Sequence, residues 1–479
     1  MLERLVLKHF RNFASLDLPL QQGWHIFLGA NGQGKTNLLE AFVLLAWGKS
    51  QRQGLTPSGS LNKSLHTHPL IYHPEWLPPI VDEAPVPNAP LPEASLTTQT
   101  ASSTSFKLPS VASLLEHPSQ TPTHALLEVT LSKETPTHTD PSMLRVTLEA
   151  QGKHSRLKAS WDGKAFKKRG DLIGKIPCVA FFTEDLAMLR GTPSHRREWL
   201  ERAMLQWQPQ YQDVFQRYHQ VLKQRNELLH QASLHGHHDI ALLDVLTEQY
   251  IQVWWESLTL RLTYLETLFP WLQYYHARLA NPQDGQLQCC YLPRLETLGL
   301  REGTTHPLTA AFLNTLQEEH FREELRQRRK EELRRGYTVV GTHKDDILWW
   351  LGTPETPWLV SQLGSQGQQR SVVLALKLAE LATLAQRCKA NQEADPILLL
   401  DDVMAELDPE RQAKLLLALD THASSHTQQV FLTTTHLHPS TLATLIQASR
   451  NDTPPTTATL PIHSYEVVRG TITPIPSLS

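Results

Sequence analysis

Gly29-Ala30-Asn31-Gly32-Gln33-Gly34-Lys35-Thr36 satisfies G-x-x-x-x-G-K-[ST] at each fixed position. The flanks decide what it means. Trp24-His25-Ile26-Phe27-Leu28 ahead of it is an apolar run of strand length. Thr36 to Trp47 behind it has helical composition, with no breaker before Gly48. Strand, glycine loop and helix together make a phosphate cradle: the glycines let successive backbone N–H groups converge, and the helix N-terminus adds partial positive charge. In that arrangement Lys35 reaches the β- and γ-phosphates and Thr36 gives its hydroxyl to Mg²⁺. Gly29, Ala30, Asn31, Gly32, Gln33, Gly34, Lys35 and Thr36 are therefore the expected binding residues for a nucleoside triphosphate. A glycine turn that binds nothing is the competing reading, and it leaves both flanks unexplained.

Working outward, bulk composition narrows the class. A chain of 479 residues holds two or three domains. Its net charge of −3 gives no global attraction to polyanions, so nucleic-acid contact would require locally concentrated cations. Cys178, Cys289, Cys290 and Cys388 form no C-x-x-C and no zinc spacing, which predicts a reducing compartment. Met1-Leu2-Glu3-Arg4 opens an alternating strand rather than a secretory signal. No apolar run approaches the roughly 18 residues of a membrane span. The expectation is a soluble, cytoplasmic chain.

Residues 2–9 alternate with one apolar set, Ser15 to Leu18 reads as the hairpin partner, and Arg11 lies in the connection between them. An arginine there could reach a nucleotide phosphate; a solvated turn arginine is the alternative. From about 51 to 123 the sequence turns to Pro, Ser, Thr, His and Ala without period, which predicts a mostly disordered insertion. Strand patterns resume at 125–131, 144–150 and 156–161, and together predict an antiparallel meander. Val179 to Phe182 is a further buried strand. Residues 193–335 read as helical, in stretches of about 211–229, 239–269 and 308–335.

The last third supplies acidic chemistry. Pro396-Ile397-Leu398-Leu399-Leu400-Asp401-Asp402 is a buried strand ending in two carboxylates. Ligands gather at the carboxyl ends of strands in α/β sheets, so Asp401 is expected to hold Mg²⁺ and Asp402 to polarise the attacking water. Ser365-Gln366-Gly367-Gln368 opens a strong helix and resembles the signature segment of the ABC superfamily. Glu406-Leu407-Asp408 resembles the D-loop, and His436, at the tip of the strand from Gln429, a switch histidine. The order of these motifs implies ATP held between two copies, with Ser365, Gln366 and Gly367 capping the partner's γ-phosphate. The resemblance gives an α/β fold: a P-loop ABC-ATPase head with an antiparallel β subdomain, plus a short helical arm lobe.

Further motifs carry a narrower resemblance. Phe10-Arg11-Asn12-Phe13, Glu184-Asp185-Leu186, Gly191-Thr192-Pro193 with Arg196-Arg197, and Gln224-Arg225-Asn226 resemble the RecF family, as do Gly341-Thr342-His343-Lys344-Asp345-Asp346 and Leu399-Leu400-Asp401-Asp402-Val403. Trp199, where Phe or Tyr is usual, is one departure. The family resemblance implies a DNA replication and repair ATPase related to the SMC heads. It implies ATP and Mg²⁺ as cofactors, slow hydrolysis, and a homodimer in the ATP state on duplex DNA and its single-strand junctions. It implies RecR as partner, with RecO, RecA loading and the SOS response downstream, and no membrane. It also puts Arg11 on nucleotide phosphate, with Lys35, Asp402 and His436 as the catalytic set. The expected division is 1–52 head, 53–123 insertion, 124–192 β meander, 193–335 helical arm and 336–479 head again. Lys164, Lys167, Lys168, Arg169, Arg196 and Arg197 are candidate DNA contacts; pairing of Arg196 and Arg197 with Glu198, Glu201 or Asp185 is the alternative. An ABC-transporter subunit and a DNA clamp without turnover are the competing functions.

Overall fold

The helix behind the glycine loop, α1 (Lys35–Trp47), buries every residue from Leu38 to Trp47. A helix apolar all round needs cover on all sides, and α1 has a sheet on each. The computed structural model describes residues 1–48, 124–132, 141–151, 154–235, 239–295, 318–353, 356–419, 427, 429–435 and 461–475. The insertion expected at 53–123, residues 308–317 of the third helical stretch, and His436 lie outside them.

On one side of α1 an antiparallel sheet runs in the order β2-β1-β4-β5-β6-β7. It is built from β1 (Leu2–Phe10), β2 (Phe13–Pro19), β4 (His124–Leu131), β5 (Ser142–Gln151), β6 (His154–Trp161) and β7 (Lys164–Ala165). The meander expected from the sequence is therefore continuous with the N-terminal hairpin. In β1 strict alternation does not hold: Leu2, Leu5, Leu7 and Phe10 are the buried set. The pairing with β4 slips between Leu2 and Arg4, and His9 has φ 52°. Each irregularity shifts the inward face by one residue.

On the other side lies β3 (Gly23–Leu28), the strand feeding the loop. It belongs to a second six-stranded sheet with β8 (Cys178–Phe181), β12 (Ile397–Asp401), β13 (Gln429–Thr434), β14 (Ile462–Val468) and β15 (Thr471–Ile475), in the order β15-β14-β3-β13-β12-β8. All but β15 are mutually parallel. Parallel strands covered on both faces are apolar on both. Ile397, Leu399 and Phe431 join the core around α1, while Leu398, Leu400, Val430 and Leu432 join a second core on the opposite face.

That second core is helical. It contains side chains of α3 (Pro193–Trp207), which follows the one-turn α2 (Ala187–Arg190), and of α4 (Tyr211–His235) and α5 (Ile240–Leu279). It also takes in α6 (Glu318–Arg335), the one-turn α7 (Val360–Leu363), α8 (Gln366–Ala390) and α9 (Pro409–Ala418). Two expectations are corrected here. The second helical stretch does not stop near Phe269: α5 runs through Pro270, because Leu272, Tyr275 and Leu279 continue the buried stripe past it. Nor is 193–335 helical throughout. Gln288–Leu292 is β9, which pairs with β10 (Asp346–Gly352), itself paired with β11 (Pro357–Leu359). Cys289-Cys290-Tyr291-Leu292 is a short apolar run, and periodicity alone does not separate strand from helix at that length.

Candidate nucleotide site

The carboxyl ends of β3, β13 and β12 lie side by side, so residues far apart in sequence converge. From β3 the chain enters the glycine loop, whose Ala30-Asn31-Gly32 crown is exposed while Gly34 and Lys35 are buried. Gly34 has φ +109°, and a Cβ there would collide with the Asn12 side chain. The same asparagine donates to the Gln33 carbonyl at 2.9 Å and accepts from Asn37 at 2.8 Å. Asn12 thus clamps the loop to the first turn of α1. No acidic residue sits in that turn, which leaves the N-terminal charge of the helix available to an anion.

The β14–β15 turn holds the loop at the same residue, beside Asn12. Arg469 donates its backbone N–H to Gln33 Oε1 at 2.8 Å, and Gly470 donates to the Gln33 carbonyl at 3.0 Å. Gly470 has φ +80°, and a side chain there would strike the Asn12 carbonyl.

Lys35 folds over the loop, donating to the Gly29 and Ala30 carbonyls at 2.8 and 2.9 Å. Burial pulls its ammonium below its ordinary value, and Asp402 and Asp401 oppose that shift. Thr36 Oγ1 donates to Asp401 Oδ1 at 3.2 Å, joining the loop to the acidic strand. Asp401 is buried, which pushes its carboxyl up, against hydrogen bonds from Thr433 and Thr36. A hydroxyl beside a buried carboxylate is a hard-oxygen donor pair. It suits Mg²⁺, which uses one or two protein oxygens and fills its remaining positions with phosphate and water. Asp402 has φ 48° and follows directly.

Thr433, on β13 opposite Asp401, ties the two carboxylates together. Its hydroxyl donates to Asp401 Oδ1 at 2.6 Å and accepts the Asp402 N–H at 2.9 Å. Thr435 Oγ1 lies 3.5 Å from Asp402 Oδ1. The sequence reading assigned nothing to Asn12, Thr433, Thr435 or the 469–470 turn. A run of three threonines at a strand tip was the available signal for two of them.

Arg11 is not a solvated turn residue: its guanidinium donates to buried Glu40 of α1 at 2.6 Å. A phosphate contact would require it to share or leave that carboxylate. Ser365 and Gln366 are exposed, and Ser365 caps α8 in a reciprocal box with Gln368 at 3.2 and 2.8 Å. Gly367 lies against the Arg411 guanidinium, which pairs with Asp408 at 2.7 Å. Gln368 in turn donates to Asp284 at 2.8 Å. The signature-like and D-loop-like segments are thus braced as one unit. Leu363, 71% exposed, precedes them. Arg196 is neither a free cation nor paired as the sequence suggested. It forms a bidentate pair with Asp346 at 2.6 and 2.8 Å. Lys164, Lys167 and Lys168 are exposed.

Comparison with known proteins adds to this geometry. A family profile described as an AAA domain matches residues 4–74. A protein of Halalkalibacterium halodurans described as DNA replication and repair protein RecF is 31% identical over 436 residues, spanning 91% of this chain and 93% of the relative. One of Geobacter metallireducens with the same description is 31% identical over 474 residues, spanning 98% and 99%. A solved structure of the recombination mediator protein RecF-ATPrS in the RecFOR pathway superposes with TM-score 0.67 at 21% identity, covering 99% of this chain and 98% of that one. The latter likeness is one of fold, the α/β head with antiparallel sheet and helical arm expected from the sequence.

Proposed function

This chain belongs to the RecF family of DNA replication and repair proteins, and from that premise we propose that it is a Mg²⁺-dependent ATPase whose nucleotide state governs its dimerisation on DNA. The observation that carries the proposal is the hydrogen bond between Thr36 and Asp401, which brings loop and acidic strand together beside Lys35. In this reading the loop N–H groups and Lys35 bind the phosphates, Thr36 and Asp401 hold the metal, and Asp402 positions water. The metal, when bound, offsets negative charge on the phosphates. Ser365, Gln366 and Gly367 cap the γ-phosphate of a second copy, so ATP closes a homodimer and hydrolysis loosens it. His436 completes the proposed set. By family kinship the dimer acts at duplex–single-strand junctions with RecR, RecO and RecA. No helix among the described residues is long and apolar enough to cross a membrane.

Size-exclusion chromatography with and without ATP tests the reading. Wild type should shift to a dimer with ATP and Mg²⁺, and Lys35→Met should remain a monomer. Asp402→Asn should dimerise but lose turnover. An ATP-bound wild type that stays monomeric ends the sandwich proposal. DNA binding indifferent to ATP, without turnover, would point to a passive clamp.

A further inference from the structure

Gly341-Thr342-His343-Lys344-Asp345-Asp346 plays no part in the nucleotide site, and five of its six residues are committed to packing. Gly341, at φ +123°, leaves no room for a Cβ against the Tyr250 hydroxyl. The Thr342 carbonyl accepts from buried Arg261 at 2.6 Å. His343 Nδ1 lies 2.8 Å from the Tyr218 hydroxyl, and its Nε2 is 3.2 Å from the Thr338 carbonyl. Asp345 accepts from the Tyr291 hydroxyl and the Arg294 N–H at 2.7 and 2.8 Å, and Asp346 is taken by Arg196.

Lys344 differs. Its ammonium lies 5.0 Å from the centre of the Tyr337 ring and has no carboxylate partner among the described residues. Other cations surround it. Arg197 donates to a carbonyl, that of Asp345, at 2.8 Å. Arg294 is exposed, with no ion-pair partner among the described residues. Arg335 touches the Tyr337 hydroxyl at 3.3 Å and pairs with Glu331. Burial, and with it the like charges of Arg197, Arg294 and Arg335, pulls the Lys344 ammonium below its ordinary value. Among the described residues Arg335 alone of the four has a carboxylate within ion-pair distance, and Asp346, Asp345 and Glu201 act on Arg197 from farther off; the cations left over suit an anionic neighbour.

The four cations come from α3, the exit of β9, the end of α6 and the 341–346 loop. Such a spread suits a string of phosphates better than a single small anion. Binding of single strands relies on successive stacking rings, and the exposed ring beside these cations is that of Tyr337, with Lys344 over one of its faces. We propose that Lys344, Arg197, Arg294 and Arg335 form a sequence-independent site for the phosphate backbone of duplex DNA at the base of the helical arm. The site rests on the DNA-binding reading above.

The test is fluorescence anisotropy of the full chain with ATP and Mg²⁺ on a labelled duplex over a salt series. The variants are Lys344→Gln, Arg294→Gln and the double substitution, and each should weaken binding several-fold on any duplex sequence. The slope of log affinity against log salt should fall by about 1 for each cation removed. Binding of a fluorescent ATP analogue should be unchanged. Arg294→Gln removes no described side-chain contact, so it reports on DNA even if Lys344→Gln unfolds. Wild-type affinity and slope in Arg294→Gln and the double variant, with wild type binding duplex, overturn this site alone. A loss seen on single strands but not on duplex also overturns it. A wild type that binds no DNA overturns the DNA reading itself, and the site with it.

Discussion

Thr433 holds both carboxylates of the candidate site through one hydroxyl, donating to Asp401 and accepting from the Asp402 N–H. Thr433→Val keeps the shape and removes the hydroxyl. It should leave ATP binding intact but raise the Mg²⁺ concentration for half-maximal turnover several-fold, while Thr433→Ser restores it. The Asp402 N–H keeps the Thr433 carbonyl at 3.2 Å, so the stability cost is that of the lost bond to Asp401, about 1.5–3 kcal/mol. Metal titrations of ATPase activity check the first effect and urea midpoints the second. Gly34→Ala forces a side chain into a left-handed backbone and into Asn12. A strain of about 1–3 kcal/mol should fall on the loop itself, so binding of a fluorescent ATP analogue should drop well before the protein melts. Lys35, Thr36 and Asp401 were legible because their neighbours in sequence define them. Thr433 was not, because its role comes from a register, Asp401 opposite Thr433, that no local pattern encodes.

Among the elements, α3 and α8 are joined by a side-chain bond that a phenylalanine at position 199 could not make. Trp199 Nε1 donates to buried Glu380 Oε1 at 2.6 Å, and Glu380 also pairs with Lys377 at 3.2 Å. Trp199→Phe should keep the aromatic packing but leave Glu380 short of a donor. The loss should be about 1–3 kcal/mol, read as a lower midpoint of thermal unfolding with ATP binding unaffected. The principal strands and helices could be read from the sequence, since long periodic runs announce themselves. Pro270 and β9 could not. The first is a helix breaker overruled by Leu272, Tyr275 and Leu279 beyond it, and the second is too short to show a period.

For the molecule as a whole, buried histidines set the response to acid. Burial pushes His25 and His276 down to about 4 and His343 to about 3. Unfolded histidine titrates near 6.5, so below that pH the unfolded chain takes up protons that the native one refuses. Each histidine then removes about 1.4 kcal/mol per pH unit as pH falls towards its native value. Asp345 works in the opposite sense. Burial raises it to about 6, so its proton favours the native state as pH falls from there, offsetting one histidine. Asp401, also raised by burial, adds to that offset, so urea midpoints should fall between pH 6.5 and 4.5 with a net loss of about 1–3 kcal/mol per pH unit. The overall α/β plan could be inferred from the order of the motifs. The β14–β15 hairpin could not, because nothing in residues 462–475 signals a partner near residue 33. That hairpin has a temporal consequence. Synthesis runs from the N-terminus at about 5–20 residues per second, so Gln33 and Asn12 leave the ribosome on the order of tens of seconds before Arg469 and Gly470. During that interval the glycine loop has the Asn12 clamp alone, and the second hold on Gln33 arrives only with the last residues made.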